Sequence, residues 1–147
     1  MAKLKPYEFG ILPVCVINAT LQLDLEAGEV VMPVNAQKHA QRKRPADYAR
    51  CFPHVASVIA DPLYLGDDFR NEGKIELVGR PLGLGTPLLV AVELTKDDDG
   101  RYSVTSFYPI SEQKVQNRRE KRHLLVAMPP IERAPRLVAG GPSTPKP

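Results

Sequence analysis

Tryptophan is absent from this 147-residue chain, and chemically versatile side chains are scarce, with two cysteines and three histidines. Cys15 and Cys51 cannot supply a disulfide framework or a zinc cage. One lies in an apolar run and the other beside Phe52, so both are expected to be buried thiols rather than nucleophiles. His39, His54 and His123 are scattered and form no His-x-x-x-His pair, and no Cys-x-x-Cys occurs. Asp97-Asp98-Asp99-Gly100 lacks the spacing and terminal glutamate of a calcium loop and reads as a hairpin turn. Gly83 and Gly85 lie between strands with no lysine or helix after them, so a phosphate loop is unsupported. No metal and no cofactor is therefore expected. No stretch approaches the roughly 18 apolar residues of a membrane span. The longest run, Ile11 to Ile17, is broken by Pro13, and the N-terminus shows no signal-peptide core. A soluble, cytoplasmic chain without a membrane partner is the expectation.

Proline, by contrast, is abundant, at fifteen residues. That number disfavours a helical bundle and favours short elements joined by stiff loops. With 43% hydrophobic and 25% charged residues, the composition is that of one globular domain. The first segment, 1–27, reads as extended strands. Ile11 to Ile17 is β-branched, and Leu21, Leu23 and Leu25 alternate with polar residues. Glu29 to Met32 is a further short strand. Asn35 can cap a helix that Pro45 stops near Arg44. Pro53 can open a second helix with Val55, Val58 and Ile59 on its apolar face. Strands follow at Leu63 to Leu65 and Lys74 to Val78. Pro87 to Leu94 is expected to be the central strand, covered on both faces, and it forms a hairpin with Arg101 to Tyr108. Ser111 can cap a helix reaching Arg122, and Leu124 to Ala127 is a last strand. Residues 28–127 thus make the main domain. Residues 128–147, rich in Pro, Gly, Ser and Thr, read as a disordered tail. The fold class is α+β, with N-terminal helices packed on an antiparallel sheet of four to five strands.

Charge is nearly balanced overall, at 20 basic against 17 acidic residues, but it is unevenly placed. Residues 38–50 hold Lys38, Arg42, Lys43, Arg44 and Arg50 against Asp47 alone, with His39 among them. Residues 112–123 hold Lys114, Arg118, Arg119, Lys121 and Arg122 against Glu112 and Glu120. Two such clusters are the footprint expected of a polyanion binder. The first contains a histidine, the side chain suited to moving protons near neutral pH. The second follows Thr105-Ser106-Phe107-Tyr108, where hydroxyls and aromatics share a strand. These parts suffice for metal-free RNA cleavage. A base takes the 2′-hydroxyl proton, the oxygen attacks the adjacent phosphate, an acid protonates the leaving 5′-oxygen, and cations stabilise the added charge.

The order of these segments carries a resemblance. An extended strand precedes Lys38-His39-Ala40-Gln41-Arg42-Lys43-Arg44-Pro45, and a helix ends Val58-Ile59-Ala60-Asp61-Pro62-Leu63-Tyr64. Then come Lys74-Ile75-Glu76-Leu77, the strand Leu89-Val90-Ala91-Val92, and Val104-Thr105-Ser106-Phe107-Tyr108 leading to Lys114. Over roughly residues 28–127 the chain resembles the phage-associated nuclease domains grouped with barnase, EndoU, colicin ribonucleases and RelE-like toxins. The resemblance implies a compact, barnase-like α+β ribonuclease fold in a phage, prophage or toxin setting, acting in a bacterial cytoplasm after phage delivery or secretion. It implies a catalytic set matched here by His39, Ser106 (or Thr105), Lys114 and Arg118. His39 would act as general base or acid, Ser106 would position the scissile group, and Lys114 with Arg118 would stabilise the transition state. Lys38, Arg42, Lys43, Arg44, Thr105, Tyr108 and Arg119 complete the substrate-binding set. One departure is clear: members often carry a second histidine just before the proline, where this chain has Arg44. The implied partners are RNA, such as tRNA or ribosomal RNA, and an acidic immunity protein masking the basic surface. The alternative reading is a non-catalytic nucleic-acid-binding protein using the same surface, and a third is a structural phage protein with no RNA affinity. Lys114, Arg118 and Arg122, at i,i+4 spacing, are expected to form one cationic stripe that can be neutralised at positions 114 and 118 without loss of stability.

Overall fold

The computed structural model describes residues 4–67 and 73–128. The chain begins with strand β1 (Tyr7–Ile11), helix α1 (Val14–Leu21) and strand β2 (Glu29–Met32). Helices α2 (Val34–Lys43) and α3 (Pro45–Cys51) follow, then a 3-10 turn at Phe52–His54 and helix α4 (Val55–Ala60). Strands β3 (Tyr64–Asp67), β4 (Lys74–Gly79), β5 (Leu88–Glu93) and β6 (Tyr102–Pro109) come next. Helix α5 (Glu112–Glu120) and the short strand β7 (Leu125–Val126) end the described part. The tail expected at 128–147 lies outside the described residues except for Met128. None of the described helices is long and apolar enough to cross a membrane.

The α+β class holds, but the sheet is larger and more mixed than the sequence suggests. Seven strands run in the order β1-β2-β6-β5-β4-β3-β7. Every neighbouring pair is antiparallel except β2 and β6, which are parallel. The four to five antiparallel strands expected from local patterns are the inner ones. The extra width comes from the N-terminal β1–β2 pair, which adds beside β6, and from β7, which adds beside β3. Which strands pair at the rims is a long-range choice that alternation within a strand does not encode.

The N-terminal segment departs most. Residues 14–21 are helical, although the β-branched run Ile11 to Ile17 reads as a strand, and Leu21 to Leu25 form no ladder. Tertiary bonds decide the matter. The Asn18 side chain donates to the Leu25 carbonyl at 3.1 Å and accepts from the Leu25 amide at 2.9 Å, closing the chain over the end of α1. Gln22 takes a left-handed conformation at φ 57° and ends the helix. Ile17 is fully buried, while Leu21, Leu23 and Leu25 pack on the rim of the core without strand pairing. Within residues 4–27, therefore, β1 is extended as expected, but α1 is a helix that packs into the core of the sheet. Cys15, on the outer side of α1, is exposed, contrary to expectation, and only Cys51 is buried.

The sheet has a covered face on each side. On one, Ile17, Val55 and Ile59 from the helices close over Leu65, Ile75, Leu77, Val90 and Val104. On the other, Val115 of α5 sits with Val78, Leu89, Ala91, Ile110 and Leu124. Strand β5 is buried on both faces, as its unbroken apolar run predicts. Each large side chain so buried contributes about 1.5–3 kcal/mol. The Asp97 turn also forms as read: its carboxylate accepts from the amides of Asp99 and Arg101, both at 2.9 Å. Ser111 caps α5 by accepting from the Lys114 amide at 3.1 Å. Beyond α5 the chain presses onto β3, where a side chain at Gly66 would meet the His123 carbonyl at 2.2 Å.

Candidate functional site

The parallel pair β2/β6 is short, matching only Val30 with Tyr102 and Val31 with Ser103. Strand β2 ends at Met32, and Pro33, which has no amide hydrogen, turns the chain into α2. From Val104 onward, no strand of the described residues pairs with β6 on that side, and helices α2 and α3 lie alongside it instead. A cleft of about 560 Å³ opens where the sheet splits, between α2–α3, the second half of β6 and the start of α5.

Each wall supplies a distinct chemistry. Helix α2 contributes His39 and Lys43, and Arg44 stands at its end. Helix α3 adds Asp47 and Tyr48. Strand β6 adds Thr105, Ser106, Phe107 and Tyr108, and α5 adds Lys114 and Arg118. Strand alternation would turn consecutive hydroxyls to opposite faces. A bulge solves this: Ala91 of β5 pairs with Ser106 and Val92 with Val104, leaving Thr105 as the extra residue. Bulges re-aim side chains, and here Thr105 and Ser106 both line the cleft.

The electrostatics are strongly one-sided. Lys43, Arg44, Lys114 and Arg118 face a single acid, Asp47, among the lining residues. The described residues offer no hydrogen bond or salt bridge to the side chains of His39, Lys43, Arg44 or Lys114. Arg118 is different. It donates to the carboxylate of Glu76 on β4 at 2.7 Å, with both side chains largely withdrawn from solvent. Glu76, Ala91 and Ser106 stand opposite one another across three adjacent strands, so Arg118 reaches over the same face that presents Ser106. Burial raises the Tyr48 phenol above its ordinary value, partly offset by a hydrogen bond with Gln41, so Tyr48 keeps its proton at neutral pH.

Of the residues expected from sequence, His39, Lys43, Arg44, Thr105, Ser106, Tyr108, Lys114 and Arg118 come together in this cleft. Lys38 and Arg42 are exposed on α2 but do not line it. Arg119 lies over the Tyr64 ring of β3, 4.8 Å from its centre, and does not line the cleft. The three-residue cationic stripe does not form. Helix α5 stops at Glu120, and Arg122 sits beyond it at φ 63°, beside a separate, shallower depression. The ion pair to Glu76 also means that replacing Arg118 removes a structural contact. Sequence reasoning passed over Glu76, Asp47 and Tyr48. Asp47, the lone acid of residues 38–50, was the available signal on one wall, but a glutamate in an alternating strand such as Glu76 looks the same whether it faces solvent or an arginine.

Among the described residues no group of three or more His, Cys, Asp or Glu is placed to hold a metal ion. No protein-family model, curated protein or solved structure matches this chain.

Proposed function

We propose that the cleft cleaves RNA as a metal-independent endoribonuclease, using the substrate's own 2′-hydroxyl as nucleophile. The observation that carries this reading is the convergence of His39, two hydroxyls and four cations from separate elements on one cleft. In the proposed reaction the 2′-oxygen loses its proton to a base, attacks phosphorus, and displaces the 5′-oxygen, which an acid protonates. The products are a 2′,3′-cyclic phosphate and a free 5′-hydroxyl. His39 serves one of the two proton transfers. Arg44 cannot serve the other, since a guanidinium does not give up its proton. Of the two lysines in the cleft, Lys43 shares α2 with His39, and we assign the second transfer to Lys114 on α5. Lys43, Arg44 and Arg118 take the phosphate charge, which grows in the transition state, and Ser106 orients the scissile group.

On this reading the α+β sheet is a barnase-like ribonuclease core widened at both rims, and we propose a phage, prophage or toxin setting with an acidic inhibitor as partner. The test is incubation of the purified protein with tRNA and ribosomal RNA in EDTA, beside a matched substrate with 2′-deoxyribose at every position. Cleavage of RNA alone, ending in cyclic phosphate, supports the enzyme. Salt-sensitive binding without cleavage supports a nucleic-acid-binding protein on the same surface. No binding overturns both.

A further inference from the structure

The cleft wall formed by α2 and α3 is held from outside by the first strand of the chain. Two separate chains of contact run to it, and both start between Lys5 and Tyr7. The first is polar. The Gln37 side chain, only 4% exposed, donates to the Lys5 carbonyl at 2.7 Å and to the Met32 carbonyl at 2.9 Å. It thereby ties residue 5 to α2 just ahead of His39, which lines the cleft. The second is aromatic. Tyr7 meets Phe52 edge-on with ring centres 4.7 Å apart, and Phe52 stacks on Tyr48 of α3 at 5.2 Å with planes 19° from parallel. Tyr48 lines the cleft and shares a hydrogen bond with Gln41 of α2, so the two chains close into one network.

The segment that carries both contacts is itself weakly held. Strand β1 ends the sheet, so only β2 pairs with it among the described residues. Leu4, Lys5, Pro6, Tyr7 and Glu8 are all exposed. The grip lies further on: Phe9 and Leu12 are buried, and the Leu12 amide donates to the Gly28 carbonyl at 3.0 Å. Between the loose end and the anchored one, a bulge interrupts the ladder from Glu8 to Gly10. Gly10 sits there at φ 105°, a conformation that only glycine adopts readily. Exposed edge backbone ahead of a bulge and a permissive glycine is the part of a sheet that opens most easily.

We infer that residues 4–8 form a strap whose seating on Gln37 and Phe52 sets the rigidity of the α2–α3 wall, so that seating and RNA binding are coupled; this rests on the cleft binding RNA. Of the α2 side chains only Ala36 and Ala40 add apolar contact with the core. A seated strap therefore supplies restraint that the RNA would otherwise have to impose. A wall already fixed loses less conformational freedom when it takes up phosphates. Linkage makes the effect reciprocal: the factor by which the strap raises RNA affinity is the factor by which bound RNA favours the seated strap. None of residues 4–8 lines the cleft, so the strap acts without touching the ligand.

The test uses the full chain and a short RNA of mixed sequence carrying 2′-O-methyl groups, which the proposed reaction does not cleave. Tyr7→Ala cuts the aromatic contact and should weaken binding about fivefold by fluorescence anisotropy. Tyr7→Phe keeps the ring and should bind as wild type. The chain contains no tryptophan, so Tyr7→Trp places a single indole on the strap. Saturating RNA should reduce quenching of that indole by acrylamide. Gln37→Ala in the same chain should shrink the reduction, whereas a direct contact between RNA and the indole would not depend on Gln37. The inference is overturned, with the ribonuclease reading left standing, by any of four results: wild-type binding in Tyr7→Ala, equal weakening in Tyr7→Phe, quenching unchanged by RNA, or a reduction indifferent to Gln37→Ala. Should Tyr7→Ala fail to fold in a thermal melt, the indole measurements decide. No binding by the wild-type chain overturns both.

Discussion

Helices α2 and α5 are both short and basic, yet they spend their charge differently. On α5, Arg118 is tied to Glu76 at 2.7 Å, Arg119 lies on Tyr64, and Glu112 in the first turn holds Arg80. On α2, Lys38, His39, Arg42 and Lys43 have no acidic partner among the described residues. The reason lies in how each helix is seated. Helix α5 lies on a sheet face, buries Val115 and comes within reach of strand side chains. Helix α2 lies beside the open edge of β6 and buries Gln37, whose amide donates to the Met32 carbonyl at 2.9 Å and the Lys5 carbonyl at 2.7 Å. Only Ala36 and Ala40 add apolar contact. One helix is held by its charges, and the other is held by a polar anchor that leaves its charges available. A positive helix face is therefore evidence of a ligand only after its local partners have been counted.

Substitutions can break this contrast at either end. The largest expected effect is on activity. His39→Ala should lower RNA cleavage in EDTA by about 10²- to 10⁴-fold and leave the melting curve unchanged, because His39 is exposed and unpaired. An undiminished rate would move the chemistry off α2. Next is Gln37→Leu, which leaves two carbonyls without their donor and should cost about 1–3 kcal/mol in denaturant unfolding. A neutral result would mean that α2 is seated by something other than its anchor. Glu76→Ala should cost about 1–2 kcal/mol, discounted for the partial exposure of Arg118. The same measurement on Lys114→Ala should show no loss, since Lys114 has no acidic partner. Similar losses in both variants would erase the distinction drawn between paired and free cations.

The smallest effect is one of pH. Arg80 donates to both Glu112 oxygens, at 2.9 and 2.8 Å, and holds that carboxyl below its ordinary range. A depressed folded value means the contribution is present above the ordinary carboxylate range and is lost as pH falls through the depressed value. Arg80→Ala should thus melt slightly earlier than wild type at neutral pH, and the gap should close well below about pH 4. A gap that persists in acid would assign the loss to Arg80 lying over Tyr64, 5.4 Å from the ring centre.

Local chemistry explains which parts of this molecule are legible in its sequence. Pro45 stops α2, which begins at Val34 behind Pro33 and without the expected Asn35 cap, the run from Leu88 to Val92 marks a doubly covered strand, Asp97 nucleates its turn, and Ser111 caps α5. Each is decided by residues within a few positions of one another, through fixed proline dihedrals, side-chain period and side-chain-to-backbone bonds. Candidate site residues were legible for a related reason: a histidine among unmatched cations is visible in composition.

What the sequence determined by itself, then, is the set of central elements, the two basic clusters and the hydroxyl-aromatic strand. Only the tertiary structure decided that Val14 to Leu21 is a helix, because that depends on Asn18 meeting Leu25. Only it could make β2 run parallel to β6 and end early enough to open a cleft, and shift Thr105 by a bulge so that two hydroxyls share it. Only it could assign Arg118 to Glu76 while giving Lys43 and Lys114 no acidic partner among the described residues. These outcomes rest on contacts between residues far apart in the chain, whose free energy depends on burial and distance after the chain has closed. Neither quantity is written in the order of the residues.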